Sequence, residues 1–266
     1  MKKYCILLAI CALHASLCAA TNSALTDDQL SRIQFDQKIG AQVSPGLTFK
    51  DETGKVVHLG DYFGDKPTVL ILGYYGCPML CTLVLNSTAE CFRNMTWKAG
   101  RQFNLVFVSI NPDESSTLAA EKKTSYVHSY GRDCAGDWHF LTGGQNAITN
   151  LAASVGFQYA YDASIKQYAH PSGLIILTAN GKVSHYLFGI NFAAREVDDA
   201  LREASDGKTG ATESQFTLLC FHYAPIHGKY GNLILEIIRG AGILTVLALV
   251  GLLLISPRPG KAEKPK

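Results

Sequence analysis

The 266-residue chain carries 24 Lys and Arg against 22 Asp and Glu, a net charge of +2, and 47% of its residues are hydrophobic. That balance is too near neutral, and its basic excess too concentrated at the C-terminus, for a nucleic-acid-binding surface. No repeat or low-complexity tract is present, and the roughly 210 residues between the two apolar termini suffice for one well-buried domain.

Residues 1–20, MKKYCILLAICALHASLCAA, have the layout of a signal peptide, with Lys2 and Lys3 ahead of an apolar stretch that closes on Ala19 and Ala20. Leu17, where a lipoprotein signal wants a small residue before the cysteine, argues against lipidation at Cys18. At the other end, residues 233–255 predict one transmembrane helix. A bilayer core takes roughly 20 helical residues. Gly240 to Ile255 is uncharged, and Glu236 and Arg239 fall in the first turns, where i,i+3 pairing and snorkelling lower their cost. Residues 256–266 then carry Arg258, Lys261, Lys264 and Lys266 against Glu263, which makes that tail cytoplasmic by the positive-inside rule. The expected product is a single-pass membrane protein with its folded domain outside the cytoplasm.

In chain order, residues 21–44 read as a polar lead-in with a short helix. LTFKDETGKVVHLGDY reads as two strand runs around Glu52, Thr53 and Gly54. KPTVLILGYY is a continuous apolar strand of the kind buried on both faces, and Pro78 to Trp97, free of glycine, predicts a helix. FNLVFVSINP is a second buried strand. SSTLAAEKKTSYVHSY, residues 115–130, predicts a helix with serines at its N-cap. WHFLTG is a short strand, and QNAITNLAASVG a helix that stops at Gly156. GLIILTANGKVSHYLFG gives two strands around Asn180-Gly181, the strongest hairpin signal in the chain, and Ala193 to Ala204 supplies a last helix. This order predicts an α/β domain over residues 45–205, a thioredoxin-like fold with an added N-terminal β-hairpin. Residues 206–232 are expected to form a linker and juxtamembrane stalk.

Of eight cysteines, Cys5, Cys11 and Cys18 fall in the signal, leaving Cys77, Cys81, Cys91, Cys134 and Cys220. An odd number in an exported domain commits at least one thiol to something other than a structural disulfide. Cys77 and Cys81, four apart after a buried strand, are expected to share a face at a helix N-terminus, where the dipole favours thiolate over thiol. Thiolates are nucleophiles in disulfide exchange and soft ligands for copper or zinc. The spacing alone leaves a redox pair, a metal site and packed core cysteines open.

A third ligand is the deciding feature. His58, His128 and His139 read as ordinary polar or capping residues, and His185 as solvent-facing on the hairpin. Cys220, His222 and His227 lie in the juxtamembrane CFHYAPIHGKY, which reads as stalk before it reads as a second metal site. His170, in DASIKQYAHPSGLIIL, is expected in a loop just before the hairpin strand, where Pro171 breaks regular structure. In a thioredoxin-like sheet that loop packs beside the cysteine helix. Two thiolates and one imidazole suit Cu(I), whereas structural zinc normally closes four ligands.

These residues resemble the Sco/SenC family of copper proteins that serve cytochrome c oxidase assembly. The resemblance covers roughly residues 45–204 and rests on Cys77-Pro-x-x-Cys81, on VSINPDE, residues 108–114, and on His170 eleven residues before Gly181. It implies that Cys77, Cys81 and His170 bind copper as Cu(I) or Cu(II). It also implies that copper or an electron pair passes to the copper-bearing subunit of a cytochrome c oxidase, with a thiol-disulfide reductant or another copper carrier as further partner. The domain would then face the periplasmic side of the inner membrane. The chain departs from the family pattern at Met79 and Thr82, where an acid and a second proline are usual, at Ala169, and in its C-terminal span. The competing reading is a thiol-disulfide oxidoreductase in which Cys77 attacks a partner disulfide and Cys81 resolves the mixed intermediate without metal. A peroxiredoxin-like peroxidase would want a threonine and an arginine around a single peroxidatic cysteine, and that constellation is not identifiable in the sequence. A tethered interaction domain with packed cysteines is the remaining alternative.

Overall fold

The computed structural model describes residues 25–77, 80–131, 137–212, 219–220, 237–247 and 251, with the main chain alone at residues 27, 80–82 and 219–220. The signal-peptide stretch 1–20 lies outside the described residues, as does Cys134. The chain divides into two units, Met1–Phe221 and His222–Lys266.

The first unit is built on a five-stranded sheet of order β5-β4-β3-β8-β9. Its strands are β3 (Thr68–Gly73), β4 (Asn104–Ser109), β5 (Trp138–Leu141), β8 (Gly173–Leu177) and β9 (Val183–Phe188). β3, β4 and β5 run parallel, while β8 pairs antiparallel with both β3 and β9. Every residue of β3 is buried, because alternate side chains enter cores on opposite faces of the sheet. Leu70 and Leu72 join one core with Ile148 and Leu151, whereas Val69 and Ile71 join the other with Phe92 and Leu201. Each such aliphatic side chain contributes about 1.5–3 kcal/mol on full burial. Helices α2 (Leu80–Asn94), α3 (Ser116–Tyr130) and α5 (Ala194–Ser205) cover the second face, and α4 (Gln145–Ser154) covers the first.

Local chemistry sets the element ends. Ser115 Oγ accepts the Leu118 N–H at 3.2 Å to cap α3, and Gly131 closes it at φ 64°. The β8–β9 turn closes through Gly181 N–H to Thr178 O, 2.8 Å. Gly181 sits at φ 75°, and a Cβ there would stand 2.5 Å from the Phe63 ring. At the N-terminus, α1 (Asp27–Ser31) begins with a capping box between Thr26 and Gln29. β1 (Thr48–Lys50) and β2 (Val56–His58) form the expected hairpin, whose turn is tied by Asp51 Oδ1 accepting from Thr53 and Lys55. Glu52 in that turn accepts the Phe140 N–H at 3.1 Å and pairs with Lys123, fastening the hairpin to β5.

Three short strands were not expected. β6 (Ala160–Asp162) and β7 (Gln167–Pro171) pair antiparallel around Lys166, which adopts φ 54°. His170 therefore lies in strand β7 rather than in a loop, and Pro171 ends that strand instead of disrupting it. β10 (Leu219–Cys220) pairs with the other edge of β7, giving a three-stranded sheet of order β10-β7-β6.

In the second unit, residues 237–247 are helical, and Ile237, Ile238, Ile243, Leu244, Val246 and Leu247 are exposed. Among the described residues no helix is long and apolar enough to cross a membrane. The expected span 233–255 extends beyond them.

Candidate metal centre

The turn Tyr74–Cys77 leaves the end of β3, and three anchors hold it. Tyr75 turns into the core on one face of the sheet, where its hydroxyl donates to Leu141 O at 2.9 Å and its ring packs on Phe107. Tyr74 joins the opposite core, where its ring meets Tyr168 at 5.5 Å and His170 at 5.9 Å, both edge-on. The third anchor is Glu114, whose Oε2 accepts the Tyr75 N–H at 2.8 Å and whose Oε1 accepts the Gly76 N–H at 2.6 Å. Ser109 Oγ donates to Glu114 Oε2 at 2.6 Å. This carboxylate takes up two main-chain donors of the turn, the role backbone pairing plays elsewhere.

Cys77 follows directly, with its N–H on Tyr74 O at 3.3 Å and only 8% of its surface exposed. It packs in the same core as Tyr74. Position 81 is the second residue of α2, whereas Cys77 stands in the turn before the first helical residue, Leu80, so the two flank the strand-to-helix junction rather than sharing one run of helix. The Cys81 side chain lies outside the described residues.

His170 is 2% exposed and packs its ring against Tyr74 and Phe157. Its Nδ1 lies 2.9 Å from Pro171 O. A carbonyl oxygen only accepts, so Nδ1 carries the proton and the lone pair resides on Nε2. An imidazole fixed in this tautomer by a main-chain carbonyl is the usual form of a metal-ligating histidine. His170 and Val84 of α2 line one small cleft at the end of β3, with Gly73 and Ser172, and its free space of about 10 Å³ is water-sized. Among the described residues no three His, Cys, Asp or Glu side chains form a metal-binding group.

The other candidates fall away from this cleft. Cys91 is a buried free thiol, pushed up to about 12 by burial, with Asp198 and Glu196 adding to it. It fits the packed-cysteine reading, and Cys77 shares its burial and its place in a core. His58 donates its main-chain N–H to Asp61 Oδ2, and His139 packs on Tyr62 at 4.4 Å. His185 is not solvent-facing as expected. Its side chain is 14% exposed, with Nδ1 2.8 Å from Ser184 Oγ and Nε2 3.0 Å from Glu203. Sequence reasoning missed Glu114, although it closes the VSINPDE stretch, because nothing in a lone surface-type acid marks it as a main-chain clamp.

A mixed α/β thioredoxin-like domain with a two-cysteine motif at the junction of β3 and α2, and a tautomer-fixed histidine in a cleft at the end of the same strand, defines a class of thiol and metal proteins. Within that class, the SCO1/SenC family profile matches residues 36–205, and the chain belongs to that family. Among solved structures, a protein of Aquifex aeolicus VF5 is similar at 20% identity over 67% of this chain and 100% of its own, with a TM-score of 0.57. A SCO1/SenC family lipoprotein of Bacillus anthracis is similar at 18% identity over 63% and 98%, with a TM-score of 0.53. Arabidopsis thaliana ScoI, solved with copper bound, shares 19% identity over 62% and 99%, with a TM-score of 0.49. No curated protein matches the chain.

Proposed function

We propose that the chain is a membrane-anchored copper carrier that loads the dinuclear copper site of a cytochrome c oxidase. Copper, as Cu(I) or Cu(II), is its cargo, held by the Cys77 and Cys81 thiolates and by His170 Nε2. The observation that carries this reading is the Nδ1 to Pro171 O contact of 2.9 Å, which puts the imidazole lone pair on the nitrogen a metal would use. Membership of the SCO1/SenC family supports the same reading, as does the cleft that His170 and the cysteine helix line together. Two soft sulfurs and one imidazole suit Cu(I). Such an ion can pass on by exchange, a partner thiolate replacing one donor while the others still hold.

Anchoring belongs to the same proposal. The apolar segment 233–255 supports a single span behind a cleaved signal at 1–20, with the basic tail 256–266 cytoplasmic and the domain on the periplasmic side of the inner membrane. The oxidase subunit and a reductant that keeps both thiols reduced are the implied partners. Metal analysis of the purified full chain tests the site. Wild type should hold one copper per chain, and Cys81→Ala or His170→Ala should hold far less. Unchanged stoichiometry in both variants would contradict the assignment. Disulfide-reducing activity that survives His170→Ala without any metal would favour the oxidoreductase reading instead.

A further inference from the structure

After α5 the chain folds back over His185. Residues 208–210 run along β9 as a strap, with Ser184 Oγ donating to Lys208 O at 2.8 Å and Gly210 N–H donating to Ser184 O at 3.0 Å. A Cβ at Gly210 would stand 2.5 Å from the His185 ring, so the strap lies directly against the imidazole. The ring is tied at both nitrogens, Nδ1 at 2.8 Å from Ser184 Oγ and Nε2 at 3.0 Å from Glu203 Oε2 on α5. Ser184 is fully buried and most of the His185 side chain is covered, so a hydrogen bond lost here is not readily replaced by water.

Chemistry fixes the direction of each hydrogen bond. A carbonyl and a carboxylate only accept, and a serine hydroxyl has one proton to give. With that proton on Lys208 O, Ser184 Oγ can only accept from His185, which puts a proton on Nδ1. Glu203 requires a second one on Nε2. A neutral imidazole has a single N–H and satisfies one side alone. If Nε2 carries it, the Nδ1 lone pair claims the Ser184 proton and Lys208 O loses its donor; if Nδ1 carries it, Nε2 turns a lone pair towards the carboxylate. Only the imidazolium completes the chain Glu203–His185–Ser184–Lys208. The remaining charges around it are engaged elsewhere: Lys208 Nζ pairs with Asp206 at 3.0 Å, Arg202 lies over Trp97, Arg195 pairs with Asp199, and β8 sets Ile176 across the ladder from His185. We propose that His185 is a proton-controlled latch that fastens residues 208–210 to β9 when it is charged and loosens them when it is neutral. Imidazoles change charge between about pH 5 and 8, so acid fastens the strap. The strap begins the segment that returns as β10 beside β7, and the latch sets how firmly that segment is held where it starts.

The test is hydrogen–deuterium exchange of the full chain in detergent micelles at about pH 5.5 and about pH 8, the range over which imidazoles titrate, read at the Gly210 amide and corrected for the intrinsic exchange rate at each pH. Wild type should protect this amide about tenfold more in acid, the scale of one charge-assisted hydrogen bond. His185→Gln should show low protection at both pH values. Glu203→Gln should show high protection at both, because its amide N–H donates to Nε2 and the neutral Nδ1–H tautomer then completes the chain. The Val183 amide, bound to Ala41 O on the same strand, should show no such rise and controls for global stability, which acid lowers through His139. Equal protection of Gly210 at the two pH values in wild type overturns the inference, as does an acid step that survives in both variants. The Glu203 side chain is half exposed, so its substitution leaves the fold intact and the test stands even if His185→Gln folds poorly.

Discussion

Glu114 Oε1 accepts the Gly76 N–H at 2.6 Å, one residue before Cys77, and so ties the cysteine turn to the loop after β4. The second oxygen takes the Tyr75 N–H and the Ser109 hydroxyl, so the carboxylate is an acceptor at both ends. Glu114→Gln keeps the shape but turns an amide N–H₂ towards a donor. Glu114→Ala leaves both main-chain donors without it. We expect the alanine change to cost about 1.5–3 kcal/mol, the range for hydrogen bonds to a charged group. Urea unfolding of both variants measures this, and copper affinity should fall in step because the turn carries Cys77.

Cys91 and Cys77 are both buried, yet their chemistry should differ. Burial beside Asp198 and Glu196 pushes the Cys91 thiol up to about 12, so it holds almost no thiolate at neutral pH. Iodoacetamide at pH 8 should label Cys91 only in denaturant, and modification under native conditions would contradict its assignment as a packed residue.

Burial holds the His139 imidazole below its ordinary value of 6.5, with Lys123 acting in the same direction and Glu52, Asp137 and Asp51 opposing. Below about pH 6.5 the unfolded chain binds a proton that folded His139 refuses, so protons favour unfolding. Its contribution to stability is therefore complete above that pH and declines as the pH falls through it towards the lower folded value. The urea midpoint should drop between pH 7.5 and 5.5 by more in wild type than in His139→Gln. Equal drops would remove His139 from the acid response.

Much of this architecture is legible in the sequence because its signals are local. The apolar runs at β3 and β4, the serine cap of α3, and Asn180-Gly181 each act within a few residues. β6 and β7 are three and five residues long, rich in polar and turn-forming residues, and their pairing is a tertiary outcome that no periodicity announces. For the same reason Cys77, Cys81 and His170 could be named while the strand that holds His170 could not. The Pro171 carbonyl that sets its tautomer, and the Glu114 clamp on the turn, are contacts that composition does not encode.

Gly156 shows how closely the lead-in is fitted. It sits at φ 64° with its carbonyl accepting the Asp36 N–H at 2.7 Å, and a Cβ there would lie 1.7 Å from Asp36 O. Gly156→Ala should therefore cost more than the roughly 1–3 kcal/mol of left-handed strain alone. Denaturant titration of the variant reads the loss, and a change below 1 kcal/mol, roughly the ordinary scale of a point substitution, would show that residues 33–36 can move away freely.

The central claim is that the His170 imidazole binds the same copper ion as the thiols of the cysteine motif. X-ray absorption at the copper edge of the loaded full chain examines that bond itself. The account predicts sulfur neighbours together with one imidazole nitrogen whose scattering disappears in His170→Ala while sulfur remains. A spectrum with sulfur alone in wild type, unaltered by that substitution, would contradict it.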